Sequence, residues 1–139
     1  MTPPDGTPGL SVGVIAAGDE LLEGRILDAQ SQHVSEEVRR WGAFVRWHFS
    51  LGDSPGELVE ALKLFQGKVD WILVTGGLGP TADDRTREEI ASALNLDLVE
   101  NGDAWREIHQ RLSSRGFEPT ENNRKQAFFP RGASILSNP

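Results

Sequence analysis

One segment limits most strongly what this chain can fold into. Trp71-Ile-Leu-Val-Thr75 is a short run, apolar at successive rather than alternate positions, that stops at Gly76-Gly-Leu-Gly-Pro80. A helical pattern opens soon afterwards at Thr86. A run of this kind fits a strand covered on both faces, as strands are in a parallel sheet flanked by helices. Neighbouring parallel strands must be joined by a long crossover, usually an α-helix. The rest of the chain should therefore supply further strand–helix units.

It supplies them. Ser11-Val-Gly-Val-Ile-Ala16 is a second apolar run, ending at Gly18, and predicts a buried strand. Ala29–Trp41 places Val34, Val38 and Trp41 on one helical face before Gly42. From Phe44 to Leu51 the residues alternate, with Val45, Trp47, Phe49 and Leu51 on one face, which predicts a half-exposed strand near a sheet edge. Ser54-Pro55-Gly56-Glu57 reads as a helix start, with Ser54 as cap and Glu57 closing a capping box. Leu58, Leu62 and Phe65 then form the apolar stripe. Thr86 and Glu89 suggest another capping box, with Ile90, Ala93 and Leu94 facing inward. A brief strand at Leu96–Val99 and a helix capped by Asp103, with Trp105, Ile108 and Leu112 inward, come next. A turn around Gly116–Asn123 and a last strand at Ala133–Leu136 complete the pattern. The expected fold is α/β: a doubly wound, mostly parallel sheet with helices on both faces, in one domain over residues 10–139 after a flexible arm over residues 1–9.

Composition bounds the chemistry. The chain has no Cys, so thiol catalysis, thiolate metal sites and disulfides are excluded. Met1–Gly9 carries three prolines and no basic residue ahead of an apolar stretch, unlike a signal peptide. No apolar run approaches the ~20 residues that span a bilayer. These features predict a cytoplasmic protein without a membrane partner. A net charge of −7, from 21 acidic and 14 basic residues, opposes polynucleotides, whose non-specific affinity depends on Lys and Arg neutralising phosphates. Arg85, Arg87, Arg124, Lys125 and Arg131 are the residues that could still form a basic patch. A small phosphorylated ligand held by main-chain amides remains compatible with the acidity.

In an open parallel sheet, ligands bind beyond the carboxyl ends of the strands. Gly76–Thr86 and the Gly18-Asp19-Glu20 turn should meet there. Glycines at 76, 77 and 79 let a backbone approach a ligand closely, and the helix opening at Thr86 adds the positive end of its dipole. The loop lacks the Lys-Ser/Thr of a P-loop. Gly77-Leu-Gly79-Pro-Thr-Ala82 matches G-x-G-x-x-A, but Pro80 falls inside the turn, which argues against a dinucleotide-binding fingerprint. Asp83 and Asp84 would repel a phosphate unless a cation lay between, and Mg²⁺ is commonly held by one or two carboxylates plus phosphate oxygens. Acids before a helix N-terminus are also favourable without any metal, by ~0.3–1 kcal/mol. Both readings stay open on the residues alone.

Gly18-Asp-Glu-Leu-Leu-Glu-Gly24, Gly52-Asp53, Gly76-Gly-Leu-Gly-Pro-Thr-Ala-Asp-Asp-Arg-Thr86 and Asn123-Arg-Lys-Gln-Ala127 occur in the order seen in the CinA (competence/damage-inducible protein A) family, so the chain resembles that family from Ser11 to Pro139. The wider relatives are molybdopterin-binding domains of the MoaB, MogA and gephyrin type. The resemblance implies an ADP-ribose pyrophosphatase that yields AMP and ribose 5-phosphate with a divalent cation, Mg²⁺ by preference. It implies Asp53 and Asp84 as catalytic acids, and Asp83 with Asp84 as metal ligands. Gly76, Gly77, Gly79 and Thr81 would form the phosphate seat, with Asp19, Glu20, Ser31, Thr86, Asn123 and Gln126 as further ligand contacts. It also implies a homo-oligomer, dimer or trimer. The alternatives are a non-catalytic ligand-binding or oligomerising module, and a molybdopterin-binding domain of molybdenum cofactor biosynthesis.

The chain departs from the family in two places. Asp28-Ala29-Gln30-Ser31 stands where the family usually has Asp-Thr-Asn-Ser. The family continues beyond the equivalent of Asn138-Pro139 with a glycine-rich segment that lines the pocket, so the domain is expected to be truncated at its carboxyl end. Nicotinamide-nucleotide amidase activity, which belongs to a further domain of that family, is not expected of this chain. His33, His48 and His109 have no metal-ligand spacing and read as solvated. The four Trp residues read as core, with Trp47 a candidate subunit contact. Lys125 reads either as a phosphate contact or as a solvated surface residue.

Overall fold

The computed structural model describes residues 9–136. The expected arm, apart from Gly9, and Ser137-Asn138-Pro139 with the family departure beyond them lie outside the described residues. The chain divides into two compact units, with the boundary between Gly77 and Leu78.

The first unit is a three-stranded parallel sheet with helices on both faces. Its elements are β1 (Ser11–Ala17), α1 (Asp19–Leu22), α2 (Ala29–Arg40), β2 (Phe44–Leu51), α3 (Glu57–Phe65) and β3 (Trp71–Thr75), in strand order β2-β1-β3. The central strand is therefore β1, and the Trp71–Thr75 run flanks it. Val12, Val14, Ile15 and Ala16 of β1 are buried. Trp71, at the start of β3, is 62% exposed. Edge placement of β2 agrees with its alternating pattern.

The alternation in β2 breaks at one point. β1 and β2 pair Val12 with Val45 and then Gly13 with Trp47, so Arg46 is an extra residue in the ladder. Such a bulge re-aims the side chains beyond it. Val45 consequently packs with Val12, Val14, Val34 and Val38 on the α2 face. Trp47 and Phe49 turn to the other face, where their ring centroids lie 5.5 and 4.8 Å from Phe65 of α3. The expected single face for Val45, Trp47 and Phe49 is thus divided between two. Gly13 leaves the room that Phe65 needs, because a Cβ there would stand 2.6 Å from the ring.

The second unit contains α4 (Thr86–Ala93), β4 (Leu98–Glu100), α5 (Gly102–Ser114), α6 (Glu121–Arg124), a 3₁₀ turn (Lys125–Ala127) and β5 (Phe128–Pro130). β4 and β5 pair antiparallel, Leu98 opposite Pro130. The last strand lies here, not at Ala133–Leu136. After Pro130 the chain turns, the Arg131 N–H donating to Asp97 O at 2.8 Å and the Ala133 N–H to Pro130 O at 2.9 Å.

Helix starts depart from the sequence expectation. α3 begins at Glu57 with Gly56 (φ 93°) at the cap position, not Ser54. The Glu57 carboxylate accepts instead from the Gly52 N–H at 3.0 Å, closing the turn after β2. Arg85 precedes α4, so Thr86 is its first residue and is buried. Glu89 is buried and lies 3.8 Å from Arg85. Asn101, not Asp103, caps α5, its Oδ1 accepting from the Ala104 N–H at 2.9 Å. Trp47 packs as expected for a core residue, but Trp41 is 83% exposed, just past the end of α2, and is not core. Leu94 is also exposed. Among the described residues no helix is long and apolar enough to cross a membrane.

Phe65 is 1% exposed and fills the space above Gly13. Truncating a buried aromatic removes its transfer free energy and leaves a cavity. Phe65→Ala is expected to lower unfolding stability by about 3–5 kcal/mol. A urea titration with unchanged slope and a shifted midpoint checks this.

Candidate functional site

The carboxyl ends of the three parallel strands meet in the first unit. β3 must run flush against β1 here: Gly76 has φ 88°, and a Cβ on it would overlap the Ala17 carbonyl. β1 and β2 are clasped at the same edge. The Asp19 N–H donates to Asp53 Oδ2 at 3.1 Å, and the Asp53 N–H donates to Asp19 Oδ1 at 2.9 Å. Gly52 fits beside this pair only because it lacks a side chain, since a Cβ would lie 2.6 Å from Asp19 Oδ1. Asp53, expected as a catalytic acid, thus already has one oxygen committed to holding the turn.

A cavity of about 280 Å³ opens at this edge, lined by residues of β1, α1, the following loop, the start of α2 and the end of β3. Glu20 and Gly76 line it, as do Asp28 and Gln30 of the divergent Asp-Ala-Gln-Ser turn. Asp28 caps α2, its Oδ1 accepting from the Ser31 N–H at 2.9 Å. Ser31 is buried. His48 reaches Asp28 from β2, with Nε2 at 3.1 Å from Oδ2, so it is not merely solvated. Burial pushes the Asp28 carboxyl up, but hydrogen bonds from Ser31 and the adjacent His48 outweigh it and hold the group below its ordinary value.

In the second unit, the loop from Leu78 to Asp84 is braced by its own side chains. Asp84 Oδ2 accepts from the Thr81 N–H at 2.9 Å and from the Thr81 hydroxyl at 2.5 Å. The Gly79 amide contributes as well. Gly79 must be glycine for this approach, because a Cβ would lie 2.6 Å from Asp84 Oδ2. The anion that the Gly79 and Thr81 amides meet is therefore the loop's own Asp84. The Thr81 hydroxyl, with the two amides and the Lys125 charge, outweighs burial and lowers the Asp84 carboxyl pKa from 3.8.

Two cations hold the carbonyl side of the same loop. Arg87 is buried and donates from Nη1 to Leu78 O at 2.7 Å and from Nη2 to Gly79 O at 3.0 Å. Lys125 Nζ donates to Thr81 O at 3.0 Å and to Asp84 O, and lies 3.3 Å from Glu88 Oε1. Lys125 is thus neither a free surface residue nor an open phosphate contact. Gln126 Nε2 points to Leu78 O at 3.4 Å. Asn123 Oδ1 accepts from the Thr120 N–H and hydroxyl, closing a capping box on α6.

The expected basic patch is neutralised residue by residue. Arg124 pairs with Glu100 through two nitrogens at 3.0 and 3.1 Å, and Arg131 lies 3.3 Å from Asp97. Sequence reading missed Arg87 as a loop brace. Its place on the inward side of α4, one residue after the loop's Thr86, was the available signal.

A divalent cation would need carboxylates free to ligate it. Asp83 is exposed and suits that role, whereas Asp84 has an oxygen committed to Thr81. Among the described residues no group of three or more His, Cys, Asp or Glu converges as a metal cage. The fit is to a cation that arrives with phosphate oxygens and keeps several waters, as Mg²⁺ does, not to a dedicated protein site.

Residues 13–134 match the family described as probable molybdopterin binding domain. A Thermoanaerobacter sp. (strain X514) protein named as competence-damage inducible is 46% identical over 125 residues, covering 90% of this chain and 30% of that protein. The chain thus spans under a third of the length of that curated relative. The crystal structure of CinA from Thermoplasma acidophilum, whose function is given as unknown, superposes with a TM-score of 0.85 at 28% identity, over 96% of this chain and 78% of that one. The tungsten cofactor synthesizing protein MoaB from Pyrococcus furiosus shares the fold, with a TM-score of 0.59 at 22% identity, over 78% of this chain and 68% of that one.

Thr81→Val removes the hydroxyl that donates to Asp84. The Asp84 carboxyl is then expected to rise towards 3.8, as read by a carbon-detected NMR titration. Because the folded-state pKa is depressed, the associated stability is present above the ordinary carboxyl range and lost as pH falls through the folded value. Thermal midpoints measured downward from about pH 5 should therefore fall less steeply in Thr81→Val than in the parent protein.

Proposed function

The chain belongs to the family of probable molybdopterin binding domains, and we propose on that premise that it binds a nucleotide-like diphosphate and hydrolyses ADP-ribose to AMP and ribose 5-phosphate. The observation that carries this reading is the loop from Leu78 to Asp84, which Asp84, Arg87 and Lys125 fix before any ligand arrives. A preorganised polar loop stabilises developing charge without reorganising during the reaction. The sequence similarity to CinA-like proteins supports the substrate class.

Water adds across the bridging P–O–P bond, one P–O bond breaks, and two phosphomonoesters leave. A divalent cation bound with the diphosphate neutralises phosphate charge and polarises the phosphorus–oxygen bonds. Asp83 is the residue that holds it. Asp84 keeps the Gly79 and Thr81 backbone in shape, and Arg87 and Lys125 keep the carbonyls of the loop turned away from the ligand's phosphates. Asp53 retains one oxygen beyond its bond to Asp19, and in this reading that oxygen takes the proton from the attacking water. A homo-oligomer, dimer or trimer, and a cytoplasmic location belong to the same proposal.

The second reading is ligand binding without turnover, with a pterin as the ligand. It is favoured by the family description and by the commitment of Asp84 to its own loop. AMP release from ADP-ribose in the presence of Mg²⁺ separates the two. The first reading expects release to be lost on chelation and reduced roughly 10–100-fold in Asp84→Asn, the scale of a charge-assisted bond to a buried group. Folded protein that binds ADP-ribose or a pterin but releases no AMP would establish the second.

A further inference from the structure

The cavity at the carboxyl edge of the first unit has a composition unlike that of a phosphate site. Ala17, Leu21, Ile26, Leu27 and Ala29 form apolar walls, and its polar side chains are those of Glu20, Asp28, Gln30 and Thr75. No Lys, Arg or His lines it. Asp28 already serves Ser31 and His48. The Glu20 carboxylate folds back over Gly18, where a Cβ would stand 2.7–2.9 Å from its atoms, and among the described residues it has no hydrogen-bond or ion-pair partner. Leu27 stands 92% exposed at the rim.

Ionised carboxylates only accept hydrogen bonds, so this cavity repels phosphate and selects a group that donates. Apolar walls with few convergent polar groups are the usual lining for the flat, weakly hydrated part of a ligand. A ribose, polar on every side, would leave Leu21, Ile26 and Leu27 without a match. We infer that the cavity is the subsite for an amino-bearing planar heterocycle, with Glu20 accepting from its exocyclic or ring N–H and Leu27 covering its face. The inference rests on the reading that the chain binds a nucleotide-like ligand, and it places the base of that ligand in the first unit alone. Asp28, held by His48 and Ser31, sets the far wall, and Gln30 offers both a donor and an acceptor.

Calorimetric titration of the folded chain with adenosine, with pterin and with ribose 5-phosphate tests this. Adenosine and pterin are expected to bind one per chain and to compete with each other. Glu20→Gln, which keeps size but loses the charge, should weaken adenosine about tenfold or more, since bonds to an ionised acceptor are roughly twice as strong as neutral ones. Ala29→Leu, at an exposed position on the rim, should do the same by filling the space. Ribose 5-phosphate affinity should not fall in either variant.

Unchanged adenosine affinity in both variants, or no adenosine binding by folded protein, overturns the assignment. Ribose 5-phosphate losing affinity in place of adenosine overturns it as well. If Ala29→Leu does not fold, Glu20→Gln decides alone. Adenosine binding is read without turnover, so its survival where no AMP is released removes the hydrolase reading and leaves this one. AMP release that is insensitive to both variants does the reverse.

Discussion

β1 has a hydrogen-bonded strand on each edge and a helix on each face, so its Val14 and Ile15 meet no solvent. That placement sets the geometry of the first unit. Parallel neighbours in register carry residues 17–19, 51–53 and 75–76 to the same edge of the sheet. At that edge the Ala17 carbonyl forces glycine at 76, and the Asp19 and Asp53 backbones are drawn close enough to bind each other's carboxylates. The cavity beneath Leu27 is a consequence of where β1 ends.

The loop of the second unit obeys a different constraint. Its main-chain groups cannot all be satisfied by a regular ladder, so side chains take them up: Asp84 the amides, Arg87 and Lys125 the carbonyls. Main-chain groups of this kind are costly if left unpaired away from water, which explains why a buried arginine is kept there without a carboxylate at hydrogen-bond distance. The same bracing makes the loop rigid, and a rigid loop is what binding of a charged ligand requires. Asp84 therefore has a structural account that stands beside any chemical one.

These two regions divide the labour of recognition differently from a glycine loop acting alone. Glycines in Gly76–Gly79 are needed for close approach, but at Gly76 and Gly79 the partner is the protein itself: a neighbouring strand and an aspartate. Selection of a ligand then falls to the side chains that remain uncommitted, Glu20 and Gln30 in the first unit and Asp83 in the second. Their chemistry is that of acceptors and cation ligands. Such a set suits the donor-rich end of a nucleotide and a metal-bound diphosphate better than a naked phosphate.

Local pattern alone was enough to read the βαβ order, the parallel sheet, the edge position of β2 and the importance of the Gly18–Glu20 and Gly76–Thr86 turns, because strand and helix periodicities and glycine stops are properties of neighbouring residues. The CinA-like string carried the family for the same reason. What pattern could not hold was everything set by partners distant in sequence. The bulge at Arg46 depends on how β2 meets β1, and it sends Val45 and Trp47 to opposite faces against strict alternation. The true caps depend on which acceptor is nearest in space, so Glu57 turned to Gly52 and Asn101 replaced Asp103. Trp41 and Trp71 sit on apolar stripes yet stay exposed, since a stripe says which face is greasy and not whether anything covers it. Only the tertiary structure could decide that Asp84 faces its own loop and that Glu20 is left without a partner, because hydrogen bonds are assigned by distance in space.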